Sequence, residues 1–196
     1  MDKNLLIIVD PQYDFINGSL PVDGSIDKME KLSIFLKENS DLFHDVIVTL
    51  DFHPSNHVSF SEWPKHCIQH SHGASIYNSV IESLISNYND KFEIYLKGQD
   101  KNAEEYSFLS NDKNREKFIG RIIFNQYDNI YICGICGDVC VLNTIIDLNN
   151  LKNGERSEIN FNLKVICDFT PSLDGGIRLS KLIDELKLDT YNPNSK

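Results

Sequence analysis

Five short β-branched runs alternate with longer stretches of helical period, and that alternation leaves few folds open to the chain. The runs are Leu5 to Val9, Val46 to Leu50, Phe92 to Leu96, Ile130 to Cys133, and Leu163 to Cys167. Between them Met29, Leu32, Phe35 and Leu36 recur at helical spacing, as do Ile76, Val80, Ile81, Leu84 and Ile85. Phe118, Ile122 and Ile123 predict a further helix, Val141, Leu142, Ile145, Ile146 and Leu148 another, and Ile177, Leu179, Leu182, Ile183 and Leu186 a last one. Strand–helix alternation of this kind implies an α/β fold, a three-layer doubly wound sandwich. Its central sheet is expected to be mostly parallel, with five or six strands and helices on both faces. Right-handed crossovers then leave few topologies.

A length of 196 residues fits one large domain, expected over residues 1–190, with a loosely ordered tail after Leu188 and above all over 191–196. The 29 acidic against 19 basic residues, a formal net charge of -10, exclude a nucleic-acid surface and an anionic membrane surface, which need clustered positive charge. No run approaches the roughly 20 apolar residues of a membrane span, and the first run is too short for a signal peptide. The five cysteines are odd in number, and Cys133, Cys136 and Cys140 crowd together, unlike a secreted disulfide framework. The expectation is a cytoplasmic protein of a reducing compartment. Its expected partner is a small molecule, with no nucleic acid and no membrane, and a homo-oligomer is allowed. Lys152 to Asn160 reads as a polar surface turn.

Open α/β sheets bind ligands outside the carboxyl ends of their strands, so the residues that follow each run matter most. Asp10 follows the first, Asp51 and His53 the second, Lys97-Gly98 the third, and Gly134 to Cys140 the fourth. Two connections, His53 to Ser75 and Gly98 to Asn114, are longer than packing alone requires, as functional loops often are. Cys140 follows a glycine-containing turn and opens a helix, where the positive end of the dipole lowers a thiol pKa. That placement favours a nucleophile over a buried structural cysteine, the role left to Cys133 inside its strand. The Cys133-Gly134-Ile135-Cys136 spacing matches a redox pair, but the redox motif opens a helix with its first cysteine and this one does not. A zinc knuckle would need a second such pair.

A cysteine nucleophile needs a base, which Asp10 on a neighbouring strand can supply, and Lys97 can hold that carboxylate ionised. Asp51 and His53, with His57 and His66 downstream, offer carboxylate and imidazole donors suited to Zn²⁺, Fe²⁺ or Mn²⁺ with open positions for a ligand. His70 and His72 read as solvated loop residues and His44 as structural.

Taken in order, these segments resemble the nicotinamidases of the isochorismatase-like cysteine hydrolase superfamily. The resemblance covers nearly the whole chain. It is carried by Ile7-Ile8-Val9-Asp10-Pro11-Gln12-Tyr13-Asp14-Phe15 with Gly18-Ser19-Leu20, by Asp51 to Phe60, by Trp63-Pro64-Lys65-His66-Cys67, by Lys97-Gly98, and by Gly134 to Thr144. It implies a catalytic triad of Asp10, Lys97 and Cys140, and backbone N–H groups of Cys136 and Cys140 as the oxyanion hole. A non-proline cis peptide is implied at Ile135–Cys136. One divalent metal ion is implied on Asp51, His53 and His66, zinc first, with iron or manganese as alternatives; His57 is left outside that set. Phe15 and Trp63 are implied to sandwich a pyridine ring, with Tyr106 in the same pocket. The chain departs from the family in carrying Cys136-Gly137 where Ala-Thr is usual.

The activity so implied is a metal-dependent cysteine amidase that converts nicotinamide to nicotinate and ammonia through a thioester, in NAD salvage. The metal would anchor the pyridine nitrogen. The nearest alternative is another amidase of the superfamily, acting on carbamoyl, ureido or pyrazinamide-like substrates; isochorismatase activity, which does not need the cysteine, fits less well. From a different class comes a non-catalytic redox sensor using Cys136 and Cys140.

Overall fold

The computed structural model describes residues 2–154 and 158–194. β1 (Asn4–Val9) runs through the middle of a six-stranded sheet, and all six of its residues are buried. β2 (Asp45–Asp51) and β3 (Phe92–Lys97) extend the sheet on one side. β4 (Asn129–Gly134), β5 (Asn162–Val165) and β6 (Asp189–Thr190) extend it on the other. Every pairing is parallel, so the sheet is all-parallel rather than mostly so.

A strand buried on both faces must carry apolar side chains along its length, and β1 does from Leu5 to Val9. Asn4 at its start is buried with its side-chain amide donating to the Leu42 carbonyl at 2.9 Å. Its alternate residues feed two cores. After β1 comes the single turn α1 (Tyr13–Ile16), and Leu6 and Ile8 pack with Met29 and Leu32 of α2 (Ser25–Glu38) and with Val80 and Leu84 of α3 (Asn78–Tyr88). Leu5, Ile7 and Val9 face the opposite core. There they meet Phe118 of α4 (Asp112–Asn125), Ile145 of α5 (Leu142–Lys152), and Leu179 of α6 (Ile177–Leu186). Full burial of one such side chain contributes about 1.5–3 kcal/mol. A right-handed crossover places its helix on a face that depends on the direction of travel. Building outward from β1 to β3 therefore puts α2 and α3 on one face. Reversing at β4 puts α4, α5 and α6 on the other. The reversal makes a crevice between the carboxyl ends of β1 and β4.

Several sequence expectations shift by a few residues. Ile76 lies before α3, where it forms an antiparallel bridge with Gln12. Ile85 and Ile177 belong to the helical patterns but face solvent, 53% and 72% exposed. β5 ends at Val165, and Cys167–Phe169 is a 3-10 turn. The chain after Leu188 is not loose throughout. Asp189 and Thr190 pair with Lys164 and Val165, and the Tyr191 N–H donates to the Val165 carbonyl at 2.9 Å. The Tyr191 ring packs on Tyr131 with centroids 5.2 Å apart. Half-burying that ring outweighs the polar character that suggested a free tail from residue 189 on. Residues 195–196 lie outside the described part, as do residues 155–157 of the expected polar turn. Among the described residues no helix is long and apolar enough to cross a membrane.

Gly134 closes β4 opposite Val9 with φ +121°, and a Cβ there would overlap the Val9 carbonyl oxygen. Backbone cannot yield as a flexible side chain can. Gly134→Ala should therefore cost about 1–3 kcal/mol, from overpacking and left-handed strain together. Urea unfolding measures it, and a stability within about 0.5 kcal/mol of the parent would refute this account of the crevice.

Candidate active site

Four strand ends converge at the crevice. Lys97 is the last residue of β3 and stands in register with Asp51, the last of β2. In-register neighbours on parallel strands project to the same face, so the lysine and the carboxylate meet. Lys97 Nζ lies 2.5 Å from Asp51 Oδ1, 2.8 Å from Asp10 Oδ2 and 3.6 Å from Cys140 Sγ. Asp10, at φ +46° just past β1, accepts a hydrogen bond from the Thr49 hydroxyl at 2.7 Å. All of these groups are buried.

Burying charge is costly unless partners replace water, and one ammonium here serves two carboxylates. They share it unequally. For Asp51 burial alone would raise the pKa, but the Lys97 charge and then the His53 ring hold it well below the usual carboxylate range. For Asp10 burial wins over Lys97 and pushes the carboxyl up to about 6. Burial likewise dominates at Cys140, whose pKa is raised well above the ordinary thiol value despite the Lys97 charge. This corrects the expectation of a thiol acidified by its helix. Cys140 sits inside a wide π-type turn, Gly137–Val141, that precedes α5, and loss of solvent there exceeds what the dipole supplies. The structure thus holds a thiol beside a carboxylate of intermediate proton affinity.

Asp51, His53 and His66 form a second cluster, with donor atoms all within 4.8 Å of one another. His66 donates from Nδ1 to the Pro64 carbonyl at 2.7 Å, and burial lowers its pKa, both of which suit a neutral ligand. His53 approaches the Gly98 carbonyl through Nδ1 at 3.0 Å. Its Nε2 is buried with no hydrogen-bond partner among the described residues, 3.5 Å from Asp51 Oδ2. An orphaned imidazole nitrogen beside a carboxylate and a second imidazole fits a divalent transition metal. His57 is engaged otherwise. Its two ring nitrogens face Ser59 Oγ at 2.7 Å and the Ala103 carbonyl at 3.0 Å, and it stacks on His53 at 4.1 Å. Asp10, Asp51 and Cys140 also come within metal-binding reach, but the Lys97 ammonium already stands against all three.

Between these clusters opens a pocket lined by Phe15, Trp63, Tyr106, Cys136, Cys140 and Leu173. The Trp63 indole N–H donates to the Tyr106 hydroxyl at 3.3 Å, which fixes the two rings against each other. The Ile135–Cys136 peptide is cis. His70 and His72 are exposed, and His44 accepts the Asn4 N–H at 3.1 Å.

Three supporting residues escaped the sequence reading. Gln12 grips the Asp51 backbone from both sides, accepting its N–H at 2.8 Å and donating to its carbonyl at 2.7 Å. Thr49 looks like any β-branched strand residue. Asp138, fully buried, accepts from the Cys136 thiol at 2.8 Å, from the N–H groups of Leu173 and Asp174, and from Arg178 at 2.8 Å. Burial followed by that contact pushes the Cys136 thiol up to about 12. A glutamine two residues after the strand-end Asp10 was a signal available for Gln12; the others carry none.

No family model matches the chain. A nicotinamidase/pyrazinamidase of Mycobacterium tuberculosis is 33% identical over 186 residues, covering 90% of this chain and 91% of that one. A nicotinamidase of Saccharomyces cerevisiae is 25% identical over 220 residues, covering 95% and 97%. In structure, the pyrazinamidase of Pyrococcus horikoshii in complex with zinc superposes with a TM-score of 0.77 at 25% identity, covering 97% and 99%.

Removing the shared ammonium tests the electrostatic account. In chelator-treated protein, Lys97→Met leaves Asp10 and Asp51 buried without a cation and should cost about 3–5 kcal/mol at neutral pH. Without Lys97 both carboxyl pKa values rise, so the folded variant takes up protons that the unfolded chain releases. Its deficit should therefore shrink as the pH falls. A deficit that does not change with pH would contradict the charge balance.

Proposed function

The chain belongs to the nicotinamidase/pyrazinamidase family, and we propose that it hydrolyses nicotinamide to nicotinate and ammonia through a thioester on Cys140. The observation that carries this reading is the Lys97 ammonium set between Asp10 and Cys140 at the wall of an aromatic pocket. Redox sensing by Cys136 and Cys140 has less behind it, since the Cys136 thiol is committed to Asp138.

In the proposed sequence Phe15, Trp63 and Tyr106 hold the ring, and the amide carbonyl lies against Cys140. Asp10 takes the thiol proton, for which a carboxyl near 6 is suited at neutral pH. The sulfur attacks the carbonyl carbon, and the electron pair of the C=O bond moves to oxygen. Backbone N–H groups of Cys136 and Cys140 serve that oxygen. Asp10 returns its proton to the amide nitrogen, the C–N bond breaks and ammonia leaves. Asp10 next takes a proton from water, whose oxygen adds to the thioester carbon. The C–S bond breaks, and the proton goes back to Cys140. Lys97 keeps the negative charge on this side of the site compensated throughout.

Asp51, His53 and His66 would hold one divalent ion, zinc by likeness to the archaeal neighbour. Such an ion, when bound, supplies a Lewis-acid contact for a pyridine nitrogen. The residues proposed to act run from Asp10 to Cys140, within a single hydrolase domain over residues 1–190.

Cys140→Ala should release no ammonia from nicotinamide, and Asp10→Asn should lose about 10²–10⁴-fold in rate. Rapid quenching should place a nicotinoyl adduct on the Cys140 peptide; an adduct on Cys136 would identify the wrong sulfur. Benzamide, which lacks the ring nitrogen, should fall on the order of 10²-fold in kcat/KM. His53→Ala should narrow that gap, and equal parent rates on the two amides would exclude recognition of the nitrogen at this site.

A further inference from the structure

Glu105 lies in the long connection between β3 and α4, where a glutamate ordinarily faces water. It is instead 7% exposed, and both carboxylate oxygens are used. Oε2 accepts the Gly98 N–H at 2.7 Å, and Oε1 accepts from the Asn111 side chain at 3.1 Å. Asn111 is itself fixed, since its side-chain oxygen caps α4 by accepting the Asn114 N–H at 3.2 Å. A buried carboxylate is retained only where such partners repay its lost hydration. These partners run from the start of α4 to the turn after Lys97.

That turn sets the orientation of His53. Gly98 has φ +65°, and a Cβ there would collide with the His53 imidazole, so the backbone approaches the ring as only glycine permits. The Gly98 carbonyl can only accept, so His53 Nδ1, 3.0 Å away, carries a proton and Nε2 is the atom left for a ligand. The His57 ring, stacked at 4.1 Å and 30°, restrains the plane of His53. Rotation within that plane is restrained by the Gly98 carbonyl, and Gly98 is held by Glu105.

We propose that Glu105 is a positioning residue for the Asp51–His53–His66 site, acting through the Gly98 backbone to fix the tautomer and aim of His53. The proposal rests on the reading of that trio as metal ligands. A group that hydrogen-bonds a ligand directly, here the Gly98 carbonyl, typically changes metal affinity by about 10–100-fold when lost, and Glu105, one contact further out, is set at the lower end of that range.

The test uses full-length protein stripped by chelator and titrated with Zn²⁺ against a chromophoric competitor, with the Co²⁺ absorption bands as a second readout of ligand geometry. Glu105→Met keeps length without an acceptor, and Glu105→Ser is smaller and admits water. Each should weaken Zn²⁺ binding about 10-fold and shift the Co²⁺ bands. Glu105→Gln, which retains one oxygen for the Gly98 N–H, should recover most of the affinity. Asn114→Ala breaks a neighbouring bond, from its side chain to the Leu96 carbonyl at 2.8 Å, and should bind like the parent. Parent-like affinity in the Met or Ser variant overturns the proposal. So does an equal loss in Asn114→Ala, which would signal general loosening, or failure of both lesions to fold. The premise is read separately with His53→Ala. If the parent binds Zn²⁺ and His53→Ala does not, the metal site stands and any failure belongs to Glu105 alone. If the parent binds none, both ideas fall together.

Discussion

A single buried ammonium, that of Lys97, holds the crevice together. It touches carboxylates from the ends of β1 and β2 and a thiol from the turn after β4, and it closes β3 itself. With one cation between two carboxylates, the pair cannot be equally satisfied. Asp51, in register beside Lys97 and next to His53, stays ionised, while Asp10 keeps an appetite for a proton. Two aspartates of identical chemistry thereby differ in proton affinity, which suits the proposed division between holding a cation and moving a proton.

Topology makes that convergence possible. The chain reverses its direction of travel between β1 and β4, so the helices leave a gap at those carboxyl ends. Gly134 lets the chain turn tightly against Val9, and the following turn carries Cys140 back over the gap. The geometry of the crevice is in this sense a property of the sheet, whose register places Asp51 and Lys97 side by side.

Much of this was legible in the amino-acid order, because strands buried on both faces read as near-continuous apolar runs and open α/β sheets bind ligands beyond the strands' carboxyl ends. The five apolar runs, and the acids, histidines, lysine and cysteine after them, mark both the sheet and the edge that carries the candidate site. The unread parts share a different character. β6 is two residues long, Asp189 and Thr190, and has no apolar signature. Tyr191 belongs to a polar terminus, yet its ring completes a cluster with Phe35 and Tyr131. Glu105 resembles every exposed glutamate until the fold buries it. The proton affinity of Cys140 was misjudged from its place along the helix, because solvent exclusion, which no local pattern encodes, decides it.

Asp138 has a mechanical consequence. Its one carboxylate gathers a donor from the turn that carries the cysteine and two from the loop that carries Leu173, with Arg178 reaching in from outside. Two segments fastened to the same small group have one relative position between them. Leu173 is therefore a fixed jaw of the pocket: its clearance is set by the bulk of its side chain and not by travel of the backbone that carries it.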